Sequence, residues 1–336
     1  MIDARKPQVD ALKQEVIAQF DVNACFERIP GQGRSTICDV CESYHRGGAA
    51  CNVVAKAFLM QEPTADIAIQ SGGGCRTDIK AGAFTMGDAY TMLPFKNRMV
   101  TIEMTGTQIK QVLEDALENG VNQGSTGAYP YAAGLRYDID RSKPANQRVS
   151  RLQVNPRLAA GTWVDMSMTK KYTVVTNDYI SRGKDGYATF GSIKDKLNTY
   201  KNYAQSFIDF LKTLKGCVFE LPYEEYSTQN FIDEKACDHG SKNDCGLTGE
   251  KSCAAKPASS SQNSCGPCCQ ANGKETVEFK ATLLTTRRAA HGSKVQVTTT
   301  VADVSTLNAI RVQDNDVLNI YLEAQGVSYL REISDS

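Results

Sequence analysis

The chain has 336 residues, which is enough for about two domains with a buried core. Its 38 lysines and arginines balance its 38 aspartates and glutamates, so no basic excess favours a nucleic acid or an anionic membrane as partner. No stretch reaches the run of about 18 apolar residues that a membrane helix needs. The charged first twenty residues lack the apolar centre of a signal peptide, so an exported form has lost its signal or the chain is an internal piece.

The first third of the chain is predicted to contain two helices and a buried strand. Apolar residues at helical spacing after Pro7 predict one helix over residues 1–22. A nearly all-apolar stretch predicts a buried helix over residues 48–60. It leads into a short apolar run at residues 67–69, whose β-branched content is typical of a buried strand.

The middle of the chain continues with strands and helices. A strand is predicted at residues 99–102, and Thr105 and Gln108 then have the spacing of a capping box at the start of a helix that ends near Gly120. The remaining predictions are strands at residues 135–139, 149–154 and 172–176 and a helix at residues 198–214. Because several strands are separated only by turns, a mixed α+β layer structure fits better than a doubly wound parallel sheet.

The last third of the chain has a different composition. Residues 227–274 are rich in Ser, Asn, Gly and Cys and contain little that could be buried, which predicts a cystine-rich loop. From residue 275 the apolar residues recur with a period of two, which predicts a small β unit of four or five strands over residues 275–334.

The twelve cysteines indicate an oxidising, extracytoplasmic compartment, such as the periplasm, the medium or the cell surface. Five of them lie before residue 76 and seven lie after residue 216. Because both counts are odd, pairing of every cysteine would require at least one bridge between the two groups. Two other roles stay open: the Cys-x-x-Cys pairs at residues 38–41 and 265–268 could together bind zinc, and the second pair has the letters of a thioredoxin redox motif.

Residues 65–97 contain the groups that indicate a ligand site. The buried strand leads into Ser-Gly-Gly-Gly at residues 71–74, whose glycines let the backbone approach a ligand closely. Arg76 follows at once, and its planar fork of donors suits a phosphate or a carboxylate. Phe95 then adds a flat apolar ring after a proline. Open backbone, a cation and a ring are together suited to a nucleotide.

Three ordered blocks carry a family resemblance: SGGGCR with LPFKN at residues 71–97, GAYPYA at residues 127–132, and NDYISRGKDGY at residues 177–187. Over about residues 51–190 the chain resembles the C-terminal, substrate-binding domain of secreted and periplasmic 5′-nucleotidases. The resemblance implies a layered α-β-β-α nucleotide-binding domain. The small all-β unit at the C-terminal end would be an addition to it.

The resemblance implies a role for each of five residues. Phe95 and Tyr179 would stack on the two faces of the base, although either ring alone would more often be a core aromatic. Asp185 would accept both ribose hydroxyls, although an Asp-Gly pair by itself predicts only a turn. Arg76 would reach the phosphate, and Asn97 would contact the base. Tyr179 stands where phenylalanine is more usual, and its hydroxyl needs a partner.

Four further positions match the family less closely or only through their backbone. Arg46 is the nearest candidate for a second phosphate-binding arginine, but a plain surface arginine fits its loose sequence context equally well. Ser71 occupies a position that is Asn in animal enzymes and Ser in some bacterial ones. Gly73 and Gly74 complete the open backbone of the site.

The same resemblance implies that catalysis lies elsewhere. The family hydrolyses phosphate esters with two metal ions held by an N-terminal metallophosphoesterase domain. The three histidines of this chain lie in no Asp-x-His or Gly-Asn-His run, so they offer no bimetallic site. We therefore expect no cofactor or metal in this chain, a divalent metal pair on the catalytic domain, and binding without turnover.

These interpretations divide the chain into a linker helix (1–22), a nucleotide-binding domain (23–226), a cystine-rich loop (227–274) and a small β unit of unknown role (275–334). The expected partners are a nucleotide or nucleoside and the N-terminal metallophosphoesterase domain, with no nucleic acid and no membrane span. The function implied is substrate recognition for an extracytoplasmic 5′-nucleotidase, a hydrolase of nucleotide catabolism. The alternative is a non-catalytic extracellular nucleotide-binding or adhesion module.

Overall fold

The computed structural model describes residues 6–122, 124–159, 162–214 and 216–233, together with four strands between residues 280 and 334. The chain divides into two compact units, Met1–Ala271 and Asn272–Ser336. All of the described helices and all of the residues predicted to bind a ligand belong to the first unit. No described helix combines the length and the apolar composition needed to cross a bilayer.

The described part of the first unit contains eight α-helices and twelve strands. The helices are α1 (Lys6–Lys13), α2 (Val40–Ser43), α3 (Ala49–Gln61), α4 (Met86–Met92), α5 (Gly106–Asn122), α6 (Asp178–Ser181), α7 (Ala188–Ser192) and α8 (Tyr203–Thr213). The strands are β1 (Val16–Phe20), β2 (Ile67–Ser71), β3 (Gly82–Thr85), β4 (Arg98–Thr105), β5 (Pro130–Ala133), β6 (Leu135–Asp140), β7 (Val149–Val154), β8 (Val164–Asp165), β9 (Lys171–Asn177), β10 (Lys196–Asn202), β11 (Cys217–Val218) and β12 (Thr228–Ile232).

These strands form three mixed sheets. The strand orders are β11-β1-β3, β10-β4-β9-β2-β5 and β12-β6-β7-β8. Each sheet contains one parallel pair, namely β1 with β11, β2 with β9 and β6 with β12, and its other neighbours are antiparallel. The predicted α+β class is therefore confirmed, since helices alternate with mixed rather than purely parallel sheets.

The five-stranded sheet lies at the centre of the core. Its strands β2 and β5 are covered by α3, which also packs against α8, and the rings of Phe58 and Tyr203 meet there with centroids 5.5 Å apart. The predicted helix over residues 48–60 is confirmed, and its apolar composition is explained because nine of its residues are buried. The ends of β2, β4 and β9 therefore belong to a well-packed sheet.

The predicted capping box at the start of α5 is also confirmed. The Thr105 backbone N–H donates to Oε1 of Gln108 at 2.9 Å, and the Gln108 backbone N–H donates back to the Thr105 hydroxyl at 3.3 Å. The stripe that follows, which includes Ile109 and Leu113, is fully buried. This helix packs on β4, β5 and β7.

The predicted single helix over residues 1–22 is wrong beyond Lys13. The helix covers Lys6–Lys13 and buries none of its residues, whereas Val16–Phe20 forms a strand. This strand lies between β3 and β11, and the ring of Phe20 packs edge-on against Phe84 at 5.3 Å. Its apolar residues fit either a helical or an extended pattern, and pairing with two neighbouring strands decides for the strand. The role of α1 as a linker stays a prediction.

The predicted helix over residues 198–214 is also wrong at its start. Residues 196–202 form β10, the edge strand that pairs with β4, and the helix begins at Tyr203. The side chain of Asn202 caps it by accepting from the backbone N–H of Gln205 at 3.1 Å. The cap residue is visible in the sequence, but the apolar spacing of α8 is also compatible with a helix that begins at residue 198.

The predicted loop over residues 227–274 begins later than expected, because Thr228–Ile232 forms β12 parallel to β6. The rest of this loop and the cysteines from residue 237 onward lie outside the described residues, as does the Cys-x-x-Cys pair at 265–268. In the second unit, four antiparallel strands confirm an all-β fold: β13 (Lys280–Arg288), β14 (Lys294–Val301), β15 (Val317–Ala324) and β16 (Val327–Ser334), in the order β14-β13-β15-β16.

Two disulfides join described cysteines, Cys25 to Cys38 and Cys51 to Cys75. Cys41 is also disulfide-bonded, and its partner is none of these four residues. Five of the six described cysteines are thus oxidised, while Cys217 is free.

Candidate functional site

The glycine turn lies where the buried strand β2 ends, and its three glycines form a short 3₁₀ turn. A β-carbon on Gly73 would lie 3.0 Å from the Cα of Gly127, and one on Gly74 would lie 2.1 Å from Nε2 of Gln70. The first contact is tight against fixed backbone, and the second would require the side chain of Gln70 to move. The close packing around the turn therefore favours glycine at both positions.

Arg76 lies directly after this turn and is exposed to solvent. Its Nη1 donates to the carbonyl of Gly73 at 3.3 Å, and its guanidinium carbon lies 5.7 Å from the centroid of the Phe95 ring, within cation–π distance. The preceding residue, Cys75, is covalently bonded to Cys51 in α3. The disulfide therefore ties the arginine segment to a buried helix.

The two predicted stacking rings lie at the same end of neighbouring strands. Phe95 precedes β4 and Tyr179 follows β9, and the antiparallel register of these strands pairs Met99 with Asn177. Each ring is 43% exposed, which is unusual for a large aromatic side chain. Neither ring is sealed inside the core, and both are open to a ligand.

A buried polar relay, which the sequence reasoning missed, connects the glycine turn with the segment of Tyr179. Asn177 caps α6, since its Oδ1 accepts from the backbone N–H groups of Tyr179 at 3.0 Å and Ile180 at 3.1 Å. Its Nδ2 donates to Oε1 of Gln70 at 2.8 Å. Gln70 lies two residues before Gly72, where the glycine turn begins. Both amides are buried, so this relay sets the position of one binding segment relative to the other.

Asp185 lies in a tight loop with an uncommon backbone conformation. Its φ of 53° is left-handed, and the glycines on either side, Gly183 and Gly186, have φ of 82° and 79°. A β-carbon on Gly186 would lie 2.4 Å from the Cβ of Asn119, so this glycine is required by space as well as by φ. The hydroxyl of Tyr179 donates to Oδ1 of Asp185 at 3.0 Å. Tyr179 stands where phenylalanine is more usual, and its additional hydroxyl thus has Asp185 as its partner inside the site.

Arg28 is a second cation that the sequence reasoning missed. Burial lowers the pKa of its guanidinium, repulsion from Arg34 and Arg76 lowers it further, and Asp185 opposes this effect. Its Nη1 lies 3.9 Å from the position of a β-carbon on Gly127, and its buried Nε has no hydrogen-bond partner among the described residues. Arg28 therefore lies close to the glycine turn and within electrostatic range of Arg76 and Asp185.

A signal for this cation is present in the sequence. Arg28 and Arg34 flank the turn-rich segment Ile-Pro-Gly-Gln-Gly, and the disulfide between Cys25 and Cys38 encloses both. The neighbouring carboxylate of Glu27 accepts from the backbone N–H of Arg34 at 2.9 Å and is itself buried, which raises its pKa. A pair of arginines in a disulfide-closed loop before the buried helix is therefore the sequence pattern that indicates this cation.

The remaining predicted residues have varied surroundings. The guanidinium carbon of Arg46 lies 3.6 Å from the ring centroid of Tyr223, which is a cation–π contact with a residue before β12. Arg28, not Arg46, is the cation within electrostatic range of Arg76. Asn97 is half-buried, and its backbone carbonyl accepts from the N–H of Tyr203 at 3.1 Å. Ser71 is the last residue of β2 and is 2% exposed.

Carboxylates of α5 lie near the Asp185 loop and bind backbone N–H groups of neighbouring segments. Asp115 accepts from the backbone N–H of Thr189 at 2.7 Å, which fixes the start of α7. Glu114 accepts from the backbone N–H of Val149 at 2.8 Å, and burial raises its pKa. These side chains line a groove with Gly186, and one oxygen of each already accepts a backbone N–H group.

The described residues contain one group of three side chains close enough to hold a metal ion, namely Cys25, Cys38 and Glu42. The two sulfurs of this group are bonded to each other and cannot act as thiolate ligands. Cys41 is also oxidised. The zinc site considered for the Cys-x-x-Cys pair at residues 38–41 is therefore wrong, because both of its thiols are consumed by disulfides.

A family model described as 5′-nucleotidase, C-terminal domain, matches residues 19–192. Among curated proteins, an NAD 5′-nucleotidase of Haemophilus influenzae is 37% identical over 218 residues, covering 63% of this chain and 35% of the relative. A probable 5′-nucleotidase of Treponema pallidum is 38% identical over 197 residues, covering 56% of this chain and 32% of the relative.

Solved structures show the same similarity. The Haemophilus influenzae NAD nucleotidase superposes with a TM-score of 0.59 and 34% identity, covering 69% of this chain and 40% of that one. The 5′-nucleotidase precursor of Thermus thermophilus superposes with a TM-score of 0.56 and 31% identity, covering 69% and 42%. The chain thus spans about a third of the length of these curated relatives, 35% and 32%.

Proposed function

The chain belongs to the family of 5′-nucleotidase C-terminal domains, and on this premise we propose that it is the substrate-recognition domain of an extracytoplasmic 5′-nucleotidase. It binds the nucleoside part of a nucleotide and presents the phosphate for hydrolysis. The observation that carries the proposal is a continuous series of neighbours around one edge of the central sheet: Phe95, Arg76, Arg28, Asp185 and Tyr179.

In this proposal the base is stacked between Phe95 and Tyr179. Both rings are 43% exposed without a ligand, so a base inserted between them would remove apolar surface from water. Stacking of a base on an aromatic side chain contributes about 1–3 kcal/mol in single-strand binders, which sets the scale of the effect. Asn97 would contact the edge of the base from the loop that carries Phe95.

The ribose and the phosphate are assigned to charged groups at the edge of the rings. Asp185 has acceptor oxygens for ribose hydroxyls and no donor. Arg28 and Arg76 are both positively charged and close enough to repel each other. A phosphate between them would relieve this repulsion and accept hydrogen bonds from both guanidinium groups. The open backbone at Gly73 and Gly74 leaves room for the substrate. Arg46 stays a weaker candidate for this role.

Hydrolysis is assigned to a divalent metal pair on an N-terminal metallophosphoesterase domain, the second partner of this chain. The share of the relatives that the chain covers, 35% and 32%, supports this assignment because it leaves room for a further domain in proteins of their length. The name of the Haemophilus influenzae relative adds NAD to AMP as a candidate substrate. The disulfides Cys25–Cys38 and Cys51–Cys75 support an extracytoplasmic location, where oxidised cysteines persist.

Titration calorimetry of the full chain with adenosine, AMP and NAD tests the proposed pocket. The Phe95→Ala variant should bind adenosine about tenfold or more weakly, in keeping with about 1–3 kcal/mol per stacked base. Phe219→Ala is the matched control, because Phe219 is 66% exposed and follows β11 in a different sheet. Equal adenosine affinities for wild type and Phe95→Ala would contradict the stacking assignment.

The second candidate is a non-catalytic nucleotide-binding or adhesion module. The four-stranded sheet of the second unit favours it, because that sheet lies outside the family match at residues 19–192. The complete transcript discriminates between the two functions. A metallophosphoesterase domain encoded upstream of Met1 supports the enzyme, whereas a signal peptide directly upstream supports the module.

A further inference from the structure

The hydroxyl of Tyr179 is paired with the carboxylate that the proposed function assigns to the ribose. It donates to Oδ1 of Asp185 at 3.0 Å. Partial burial and this hydrogen bond raise the pKa of Tyr179, which keeps the phenol protonated and able to donate. The carboxylate therefore has a hydrogen-bond donor on one oxygen before any ligand binds.

Both partners of this contact are held by their own segments. The backbone N–H of Tyr179 is bonded to the capping side chain of Asn177 at 3.0 Å, which anchors α6. Asp185 is held in a left-handed conformation between Gly183 and Gly186. The contact between the phenol and the carboxylate thus joins the capped start of α6 to the left-handed loop of Asp185.

The phenol of Tyr179 already engages one of the two carboxylate oxygens of Asp185. The two neighbouring hydroxyls of a ribose would each take one oxygen of a carboxylate that had no such donor, although each oxygen has two lone pairs. With the phenol on Oδ1, a second ribose hydroxyl must displace it or share the oxygen. Displacement exchanges one charge-assisted hydrogen bond for another of the same kind, so the net gain is small.

We propose that Tyr179 is a specificity-determining residue, whose hydroxyl takes the place of one ribose hydroxyl on Asp185 so that the site accepts deoxyribonucleosides nearly as well as ribonucleosides. This inference rests on the proposed function, because it concerns the sugar of the same nucleoside. The ligand class of the site then includes deoxyadenosine and its phosphates as well as adenosine and AMP.

Calorimetry with adenosine, 2′-deoxyadenosine and 3′-deoxyadenosine on the full chain tests this inference. In the wild type we expect the affinities to agree within about threefold, since only one ribose hydroxyl finds a free carboxylate oxygen. In Tyr179→Phe both oxygens are free, so the preference for adenosine over at least one deoxynucleoside should rise about tenfold, or about 1.4 kcal/mol. Tyr90→Phe is the matched control, because Tyr90 is 47% exposed and lies on α4, and its ratios should equal those of the wild type.

Two results separate this inference from the function on which it rests. Nucleoside binding with unchanged ratios in Tyr179→Phe, or a wild type that already prefers adenosine about tenfold, would overturn the role of Tyr179 and leave the pocket intact. No binding of any nucleoside by the folded wild type would overturn the proposed function itself. Asp185→Asn in the Tyr179→Phe background should return the ratios toward the wild-type values, because an amide has a single acceptor oxygen.

Discussion

Replacement of Asn177 by alanine removes three hydrogen bonds, one of which connects the two halves of the candidate site. Two are the capping bonds from the backbone N–H groups of Tyr179 and Ile180, and the third is the bond to Oε1 of Gln70. Loss of a helix cap costs about 0.5–2 kcal/mol, and a buried acceptor left without a partner costs about 1–3 kcal/mol. We expect Asn177→Ala to lower the free energy of unfolding by about 2–4 kcal/mol.

Asn202→Ala is the matched control for this substitution. Asn202 caps α8 with the same side chain, accepting from the backbone N–H of Gln205 at 3.1 Å, but it is exposed to solvent and has no buried amide behind it. Its loss should cost only about 1 kcal/mol. Urea unfolding of both variants, followed by circular dichroism and by the fluorescence of the single tryptophan, Trp163, measures the difference.

The binding data give a second, independent test of the buried relay. Because Asn177 anchors the segment of Tyr179, Asn177→Ala should also weaken adenosine binding in calorimetry, whereas Asn202→Ala should not. Equal stability losses in the two variants would refute the energetic role of the contact with Gln70. An unchanged adenosine affinity in Asn177→Ala would refute the link between the relay and the ring.

Three further outcomes are expected. Arg28→Ala should weaken AMP binding about tenfold relative to adenosine binding, because a hydrogen bond to a charged group contributes about 1.5–3 kcal/mol. Arg76→Ala should act in the same direction. Equal losses of affinity for AMP and adenosine in calorimetry would argue against a phosphate role. Reduction of the disulfide between Cys51 and Cys75, which are 24 residues apart, should lower stability by about 3 kcal/mol, and unfolding of a Cys51→Ser/Cys75→Ser double variant checks this value. Burial raises the pKa of Glu114 above the ordinary 4.5, so its contribution to stability is complete below that pH and is lost as the pH rises through the folded-state pKa. Glu114→Gln should therefore flatten the fall in melting temperature as the pH rises above about 4.5, and an identical pH profile would contradict the assignment.

The local elements of the chain could be predicted where they depend on near neighbours. The capping box of Thr105 and Gln108 and the tight turn at residues 72–74 are formed within four residues of chain. The strands predicted at residues 67–69, 99–102 and 172–176 contain apolar residues that are buried by almost any packing of a central sheet. Such features need no knowledge of what lies across the fold.

The errors arose where distant partners decide the conformation. Val16–Phe20 is a strand because β3 and β11 lie beside it, and residues 198–202 are extended because β4 offers a free edge. Neither partner is adjacent in the sequence. Arg28 escaped notice for the same reason, because only the folding of the loop closed by a disulfide brings it within electrostatic range of Arg76.

The sequence by itself determined the α+β class, the family and the chemical types at the site, because short motifs record which residues a turn, a cap or a charged contact requires. Only the tertiary structure decided which of these groups are neighbours. The register of β4 with β9 brings the segments of Phe95 and Tyr179 to one edge of the sheet, and the left-handed loop brings Asp185 to the phenol of Tyr179. The physical reason is that hydrogen bonds and charge interactions act over a few ångströms, and only folding brings residues from distant parts of the chain that close.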